Sequence, residues 1–207
     1  HASEIGLDGA QLGPTYYYQP TEGDVLRLFE LVAKESDVSL MIYHTWWEGL
    51  TMSIDLLKRL RDIESVRSLK WSSGDAGHYR QGLLELSDSL VMIDNSGQQT
   101  SSHLLGARGF ITHLSGFWPA YPLEIWQLLE KRDYAAATAR LTEFKWKWSA
   151  WVGKVIEFTG GEGPFIKAAM EAVGLTVGPP RPPSVRAPEH LLDELRELLD
   201  SANVPKA

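Results

Sequence analysis

The sequence predicts an α/β fold with parallel strands, and three observations carry that prediction. Short β-prone runs alternate with amphipathic helical segments through the first half of the chain, polar and aromatic residues crowd the positions just after those runs, and no glycine-rich phosphate turn follows any of them. Strands joined by helical crossovers must run parallel, because tight hairpins join only antiparallel pairs. Such strands form either an open sheet or most of a closed barrel. An open dinucleotide-binding sheet should carry a G-x-G-x-x-G or Walker-type turn straight after a strand. Chemistry gathered at successive strand C-termini is instead how a (β/α)8 TIM barrel builds its site.

The β-prone runs lie at 9–13 (GAQLG), 38–43 (VSLMIY), 66–71 (VRSLKW), 90–94 (LVMID) and 109–114 (GFITHL). After the first run, Thr21 and Asp24 make the capping-box pattern T-x-x-D, and Val25, Leu28, Phe29 and Val32 recur at helical spacing. After the second, Ser53 is a helix N-cap for IDLLKRLRDI, in which Ile54, Leu57 and Leu60 share a face. Beyond Leu114 the pattern turns to helices alone, at about 119–131, 133–158, 164–174 and 188–201. In the last of these, Leu191, Leu192, Leu195, Leu198 and Leu199 form a packing stripe. The stretches GGEGP (160–164) and VGPPRPP (177–183) break helices and are too short for domain linkers. The expected organisation is a barrel portion over 1–118, followed by helices over 119–207 that pack on it.

Bulk properties narrow the function. A chain of 207 residues with 43% hydrophobic content can bury a substantial core, which argues against disorder. No apolar run approaches the roughly 18 to 20 residues that span a bilayer. The absence of cysteine excludes disulfides, thiolate metal sites and a cysteine nucleophile, and fits a reducing compartment, so the cytoplasm is the expected location. A formal charge of −7 argues against general nucleic-acid binding, which needs surplus Lys and Arg, and favours a small-molecule ligand. FKWKWSAWVGK (144–154) does interleave aromatics with lysines, as single-strand binders do. On a helix, however, Phe144, Trp148, Trp151 and Val155 fall on one face, so the segment reads as packing. The six histidines show no H-x-x-x-H or H-E-x-x-H spacing, and neither metal nor cofactor is expected.

Four motifs then occur in order: GAQLGPTYYYQPT, MIYHTWWEG, SLKWSSGD and the tail FIKAAMEAVGL. Together they resemble the dihydrodipicolinate synthase / N-acetylneuraminate lyase family of class I aldolases and dehydratases. They match its P-Y-Y-x-x-P-[ST] strand, its Y-N-x-P-x-x-x-G strand, its K-x-x-[ST]-G-[DN] segment and its P-x-K-x-x-x-x-x-x-G ending. The interval of 27 residues between Tyr43 and Lys70 is close to the family's. The resemblance implies that this chain supplies strands four to eight of the barrel. The family's first three strands, with their Gly-Thr-Thr-Gly-Glu carboxylate loop, have no counterpart here. A five-strand portion would expose two parallel edges, so the 207 residues are expected to be part of a longer protein.

The resemblance implies a chemistry for particular residues. Lys70 is the amine that attacks a ketone to form an imine, which withdraws electrons from the adjacent carbon. Burial in a barrel favours the neutral amine that this requires. The plain alternatives are a snorkelling lysine or half of an ion pair. Tyr43 resembles the family's proton-shuttling tyrosine, against the alternative of a strand tyrosine bonded to backbone. Tyr17 matches the tyrosine inserted from a neighbouring subunit, although the run Tyr16 to Tyr18 leaves its register open by one, and an aromatic interface patch is the alternative.

Departures from the family pattern bear on the substrate. No arginine occurs between Tyr43 and Lys58, where the family's synthases hold the second substrate's carboxylate; Trp47 or Glu48 stands at that place. This disfavours an anionic aldehyde substrate. His44 replaces the usual Asn, and Trp46, Trp47 and Trp71 are expected around the mouth, where flat apolar faces suit a sugar-acid or aromatic acceptor, or simply pack the loops. Ser72 and Ser73 line the pocket or form the turn after the lysine. Asn95 and Ser96, with Ile111, Thr112 and His113 in the last run, line the pocket by position. The reading is a Schiff-base lyase acting on pyruvate or a longer 2-oxo acid, by aldol cleavage, condensation or dehydration of a 2-keto-3-deoxy sugar acid. Its rivals are dihydrodipicolinate synthase proper and a non-catalytic metabolite-binding member of the family. A homo-oligomer, dimer or tetramer, is the expected assembly.

Overall fold

The computed structural model describes residues 1–14 and 17–207; Thr15 and Tyr16, and the side chain of Glu48, lie outside the described residues. The chain divides into two compact units, His1–Ile111 and Thr112–Ala207, a break earlier than the boundary at 118 expected from sequence. The first unit alternates β1 (Gly9–Leu12), α1 (Glu22–Glu35), β2 (Ser39–Tyr43), α2 (Ile54–Arg61), β3 (Val66–Trp71), α3 (Ala76–Leu86), β4 (Val91–Asp94), α4 (Gln99–Leu104) and β5 (Gly109–Phe110). The five strands form one sheet in sequence order, every neighbouring pair parallel.

Local chemistry sets the helix starts. The Thr21 hydroxyl accepts from Asp24 N while the Asp24 carboxylate accepts from Thr21 N at 2.9 Å, closing the capping box that opens α1. The Ser53 hydroxyl accepts from Leu56 N at 3.1 Å at the start of α2, and Asp75 caps α3 by accepting from His78 N at 2.6 Å.

Strand alternation sorts the side chains onto two faces. Leu40, Ile42, Leu69, Trp71 and Met92 join one buried cluster with Phe29 of α1, Leu57 and Leu60 of α2, and Leu83 of α3. The opposite face carries Ser39, Met41, Tyr43, Ser68, Lys70 and Ile93, all partly exposed. Lys70 and Trp71 are successive residues of one strand, so they must point to opposite faces. The expectation that Trp71 lines the mouth is therefore corrected: its side chain is fully buried beneath the sheet.

The last strand is shorter than expected. It ends at Phe110, and the Thr112 hydroxyl accepts from Leu114 N at 3.3 Å at the start of a 3-10 turn, His113–Gly116. A threonine that bonds its own downstream backbone withdraws it from a strand ladder. Thr112 and His113 thus lie outside the sheet and fall in the second unit.

The second unit holds α5 (Ala120–Glu130), α6 (Tyr134–Phe158), α7 (Gly163–Ala172) and α8 (Glu189–Ser201). The α6 face at Phe144, Trp148, Trp151 and Val155 is buried, as its spacing predicts. Ring contacts continue from it, Trp118 to Phe144 at 5.4 Å, Phe117 to Trp148 at 5.2 Å and Trp148 to Trp151 at 5.2 Å between centroids. The Trp151 indole donates to Leu191 O at 2.8 Å, tying α6 to α8. The α8 stripe buries Leu191, Leu192, Leu195 and Leu199. Among the described residues, no helix is long and apolar enough to cross a membrane.

Candidate active site at the strand ends

The C-terminal ends of β2 and β3 bring together the two residues of greatest chemical interest. Tyr43 and Lys70 are register partners, and the Lys70 Nζ lies 3.9 Å from the centroid of the Tyr43 ring. A cation over an aromatic face is attracted by the ring quadrupole, and the ring covers one side of the amine. Both residues sit on the partly exposed face of the sheet. Gly13, which follows β1, lies beside Tyr43; a Cβ there would meet the ring at 3.7 Å, an ordinary van der Waals contact.

Beneath the sheet the expected substrate ligands His44 and Ser72 are structural. His44 is fully buried, its Nδ1 lies 2.6 Å from Ser72 O, and its Nε2 accepts from Met52 N at 3.1 Å. An Nε2 that accepts fixes the neutral tautomer with the proton on Nδ1, so both nitrogens are spent on backbone. Burial pushes the imidazole down to about 4, with the Ser72 carbonyl opposing and the nearby His78 adding to the fall. Ser72 is also fully buried, and its hydroxyl donates to His44 O at 2.8 Å. The expectation that these two side chains bind substrate is corrected: they lock the ends of β2 and β3 to each other.

Loop residues make up the remaining candidates. Trp46 and Trp47 form a 3-10 turn, half-exposed and edge to face at 5.7 Å. Trp46 rests on Gly74, where a Cβ would meet its ring at 3.2 Å, so the turn after β2 is seated on the turn after β3. Ser73 accepts from Asp75 N at 3.1 Å and pairs with His78 Nδ1 at 3.1 Å. Asn95 is partly buried, its N–H donating to Trp71 O at 2.8 Å, and Ile111 is 43% exposed. Tyr17 is 81% exposed and touches Tyr18 edge to face at 4.7 Å. His113, in the second unit, pairs with Glu162 at 3.3 Å and packs edge-on against Phe165 at 5.2 Å. Among the described residues, no group of three or more His, Cys, Asp or Glu is arranged to hold a metal ion.

Sequence reasoning missed three residues near these loops: His78, Tyr79 and Asp94. Tyr79 is buried, and its hydroxyl donates to Asp94 Oδ1 at 2.6 Å. Burial first, and then the Asp94 charge, push the Tyr79 phenol far above its ordinary range. The available signal was an acid closing an otherwise apolar strand run, LVMID.

The described residues thus form a parallel α/β sheet with Lys70 and Tyr43 paired at adjacent strand ends, followed in the chain by a helical unit, an arrangement consistent with part of a TIM barrel. The dihydrodipicolinate synthetase family profile matches residues 1–202, and the chain belongs to that family. It is 28% identical over 201 residues to a 4-hydroxy-tetrahydrodipicolinate synthase of Exiguobacterium sibiricum, covering 94% of this chain and 67% of that protein. It is 25% identical over 211 residues to an uncharacterized DapA-like lyase of Thermococcus onnurineus, covering 96% of this chain and 68% of that one. Among solved structures, dihydrodipicolinate synthase from Aquifex aeolicus superposes with a TM-score of 0.85 at 23% identity, over 99% of this chain and 69% of its own. YagE, a prophage protein of the dihydrodipicolinic acid synthase family from E. coli K12 solved in complex with pyruvate, gives 0.82 at 21% identity, over 98% and 69%. This chain thus spans about two thirds of the length of the relatives it matches.

Proposed function

We propose that the protein is a class I lyase in which Lys70 forms a Schiff base with pyruvate or a longer 2-oxo acid. The observation that carries this reading is the Lys70 amine at the end of β3, on the partly exposed face of the sheet and 3.9 Å from the Tyr43 ring centroid. A neutral amine adds to the ketone carbon, the carbinolamine loses water, and the resulting iminium accepts the electron pair of the bond that breaks next. In an aldol cleavage that bond joins C3 to C4, and the C4 hydroxyl proton leaves as the aldehyde forms. In a dehydration the C3 proton is removed and hydroxide departs from C4. Tyr43 is the proton carrier for both courses, and Tyr17 extends its relay from a neighbouring copy in a homo-oligomer. Asn95 and Trp47 line the acceptor side. The five strands take the places of strands four to eight of the barrel. The family membership supports lyase chemistry, and the pyruvate complex of the E. coli relative supports the substrate class.

Borohydride trapping tests the reading. Incubation with pyruvate and reduction should leave a stable adduct on Lys70, found by peptide mapping, and Lys70→Ala should abolish it. No adduct with any member of a broad 2-oxo-acid panel would favour the non-catalytic metabolite-binding alternative. The E. sibiricum relative supports a second reading as a synthase. The absence of arginine between Tyr43 and Lys58 weighs against it, and turnover of pyruvate with aspartate semialdehyde would decide in its favour.

A further inference from the structure

We propose that Trp71, Tyr79 and Asp94, buried beneath the sheet, are positioning residues for the Lys70 site. They hold the end of β3 and the loops after β3 and β4 in one closed circuit. The proposal rests on the Lys70 reading and adds to it residues that touch no substrate, since all three lie on the face opposite the lysine.

The circuit runs through one register pair and six contacts. Trp71 and Asp94 are register partners at the ends of β3 and β4. The Trp71 indole donates to Tyr79 O at 2.9 Å, and the Tyr79 ring stacks on it, 7° from parallel with centroids 6.2 Å apart. The Tyr79 hydroxyl donates to Asp94 Oδ1 at 2.6 Å, and the same oxygen accepts from Ser96 N at 2.8 Å. The Ser96 hydroxyl in turn accepts from Ser73 N at 3.3 Å, three residues beyond the lysine. Asn95 N closes the circuit by donating to Trp71 O at 2.8 Å.

Two physical arguments make this a device rather than ordinary packing. A fully buried carboxylate is costly unless donors hold it, and an apolar residue of similar size would fill the same space more cheaply. Asp94 gathers donors from α3 and from its own loop onto one oxygen, which fixes direction in a way that apolar contact cannot. The second argument is steric. A Cβ at Gly82 would lie 2.5 Å from the Trp71 ring, so α3 carries a glycine where the indole passes beneath it. With Leu69 and Trp71 both fully buried, the backbone on either side of Lys70 is held.

The test uses Tyr79→Phe, which keeps the ring stack and removes only the hydroxyl donor, and Asp94→Asn, which keeps size and an acceptor oxygen. Three quantities are measured in the full chain: amide hydrogen exchange at Ser73, Asn95 and Ser96, the rate of Lys70 acylation by a neutral reagent, and the pyruvate dependence of borohydride trapping. In Tyr79→Phe the loop amides should exchange about tenfold faster while β2 amides do not change, and Lys70 acylation should change by a similar factor. The limiting trapping rate should fall about tenfold with half-saturating pyruvate within about twofold of the parent, and Asp94→Asn should lie between the two. Loop amides and Lys70 reactivity equal to the parent in both variants would overturn the proposal, as would a uniform rise in exchange over the whole first unit. If the parent traps no oxo acid while loop exchange and Lys70 acylation respond as stated, the Schiff-base reading fails and the positioning role stands.

Discussion

A buried neutral imidazole opposes folding in acid, and His44 is such a group. Its folded pKa of about 4 lies below the ordinary 6.5, because burial penalises the cation. The unfolded chain therefore takes up the proton first. The contribution of His44 to stability is whole above pH 6.5 and declines as pH falls towards 4, by about 3 kcal/mol in total. Urea unfolding followed between pH 7 and 4 should show that decline, and His44→Asn should flatten it; an equal slope in both proteins would refute the assignment. At the same scale, Lys70→Arg should abolish imine trapping although it keeps the charge, because a guanidinium does not deprotonate in this range. Peptide mapping after borohydride reads the result. Lys70 and Tyr43 were legible as a pair through the ordered motifs that resemble the family, since position at a strand end alone does not single them out. His44 and Ser72 were misread because a polar residue next to a tyrosine at a strand end has the same spelling whether it faces ligand or core. Their roles depend on bonds to Met52 and to each other's backbone across neighbouring strands.

At the scale of elements, the same periodicities that located the strands and helices also explain where reading failed. α1, α2, α6 and α8 carry caps or apolar stripes and were legible within a few residues. α4 (QTSSHL) was not singled out, since it has one apolar residue and is fastened by serine hydroxyls, Ser102 to Gln99 O and Ser101 to Gln98 O, both at 3.1 Å. β5 was overextended because GFITHL is β-prone throughout, and nothing in composition shows that Thr112 bonds its own backbone. Applying strict alternation to VRSLKW would have placed Trp71 opposite Lys70 without any structure. The packing of α3 on β3 yields a prediction of its own: Gly82→Ala should destabilise the chain by about 1 to 3 kcal/mol in urea unfolding, because the added methyl overlaps the Trp71 ring. Thr21→Ala should cost about 1 kcal/mol through loss of the α1 capping box, with no effect on imine trapping.

For the whole molecule, the exposed Tyr17 makes the assembly testable. If it completes the relay of a neighbouring copy, Lys70→Ala and Tyr17→Ala proteins, each impaired alone, should regain activity when unfolded together and refolded as a mixture. A mixed pair contains one site with both residues intact. Activity of the mixture no greater than the mean of the two preparations would show that Tyr17 acts within its own chain or not at all, and sedimentation equilibrium would report the subunit number directly. The family was legible from four ordered motifs spread over nearly the whole chain, whereas the assembly was not, since a three-tyrosine run is equally compatible with a relay and with an aromatic patch.

The seating of Trp46 on Gly74 has an optical consequence. An indole in contact with the turn that follows the lysine strand, and 44% exposed, is placed to change its emission when that turn shifts or a ligand displaces water from it. Trp71 is fully buried and contributes a constant blue-shifted background. The difference spectrum between the parent and Trp46→Phe would therefore isolate one natural reporter, allowing 2-oxo acids to be screened by fluorescence titration with no label and no assumption about the products.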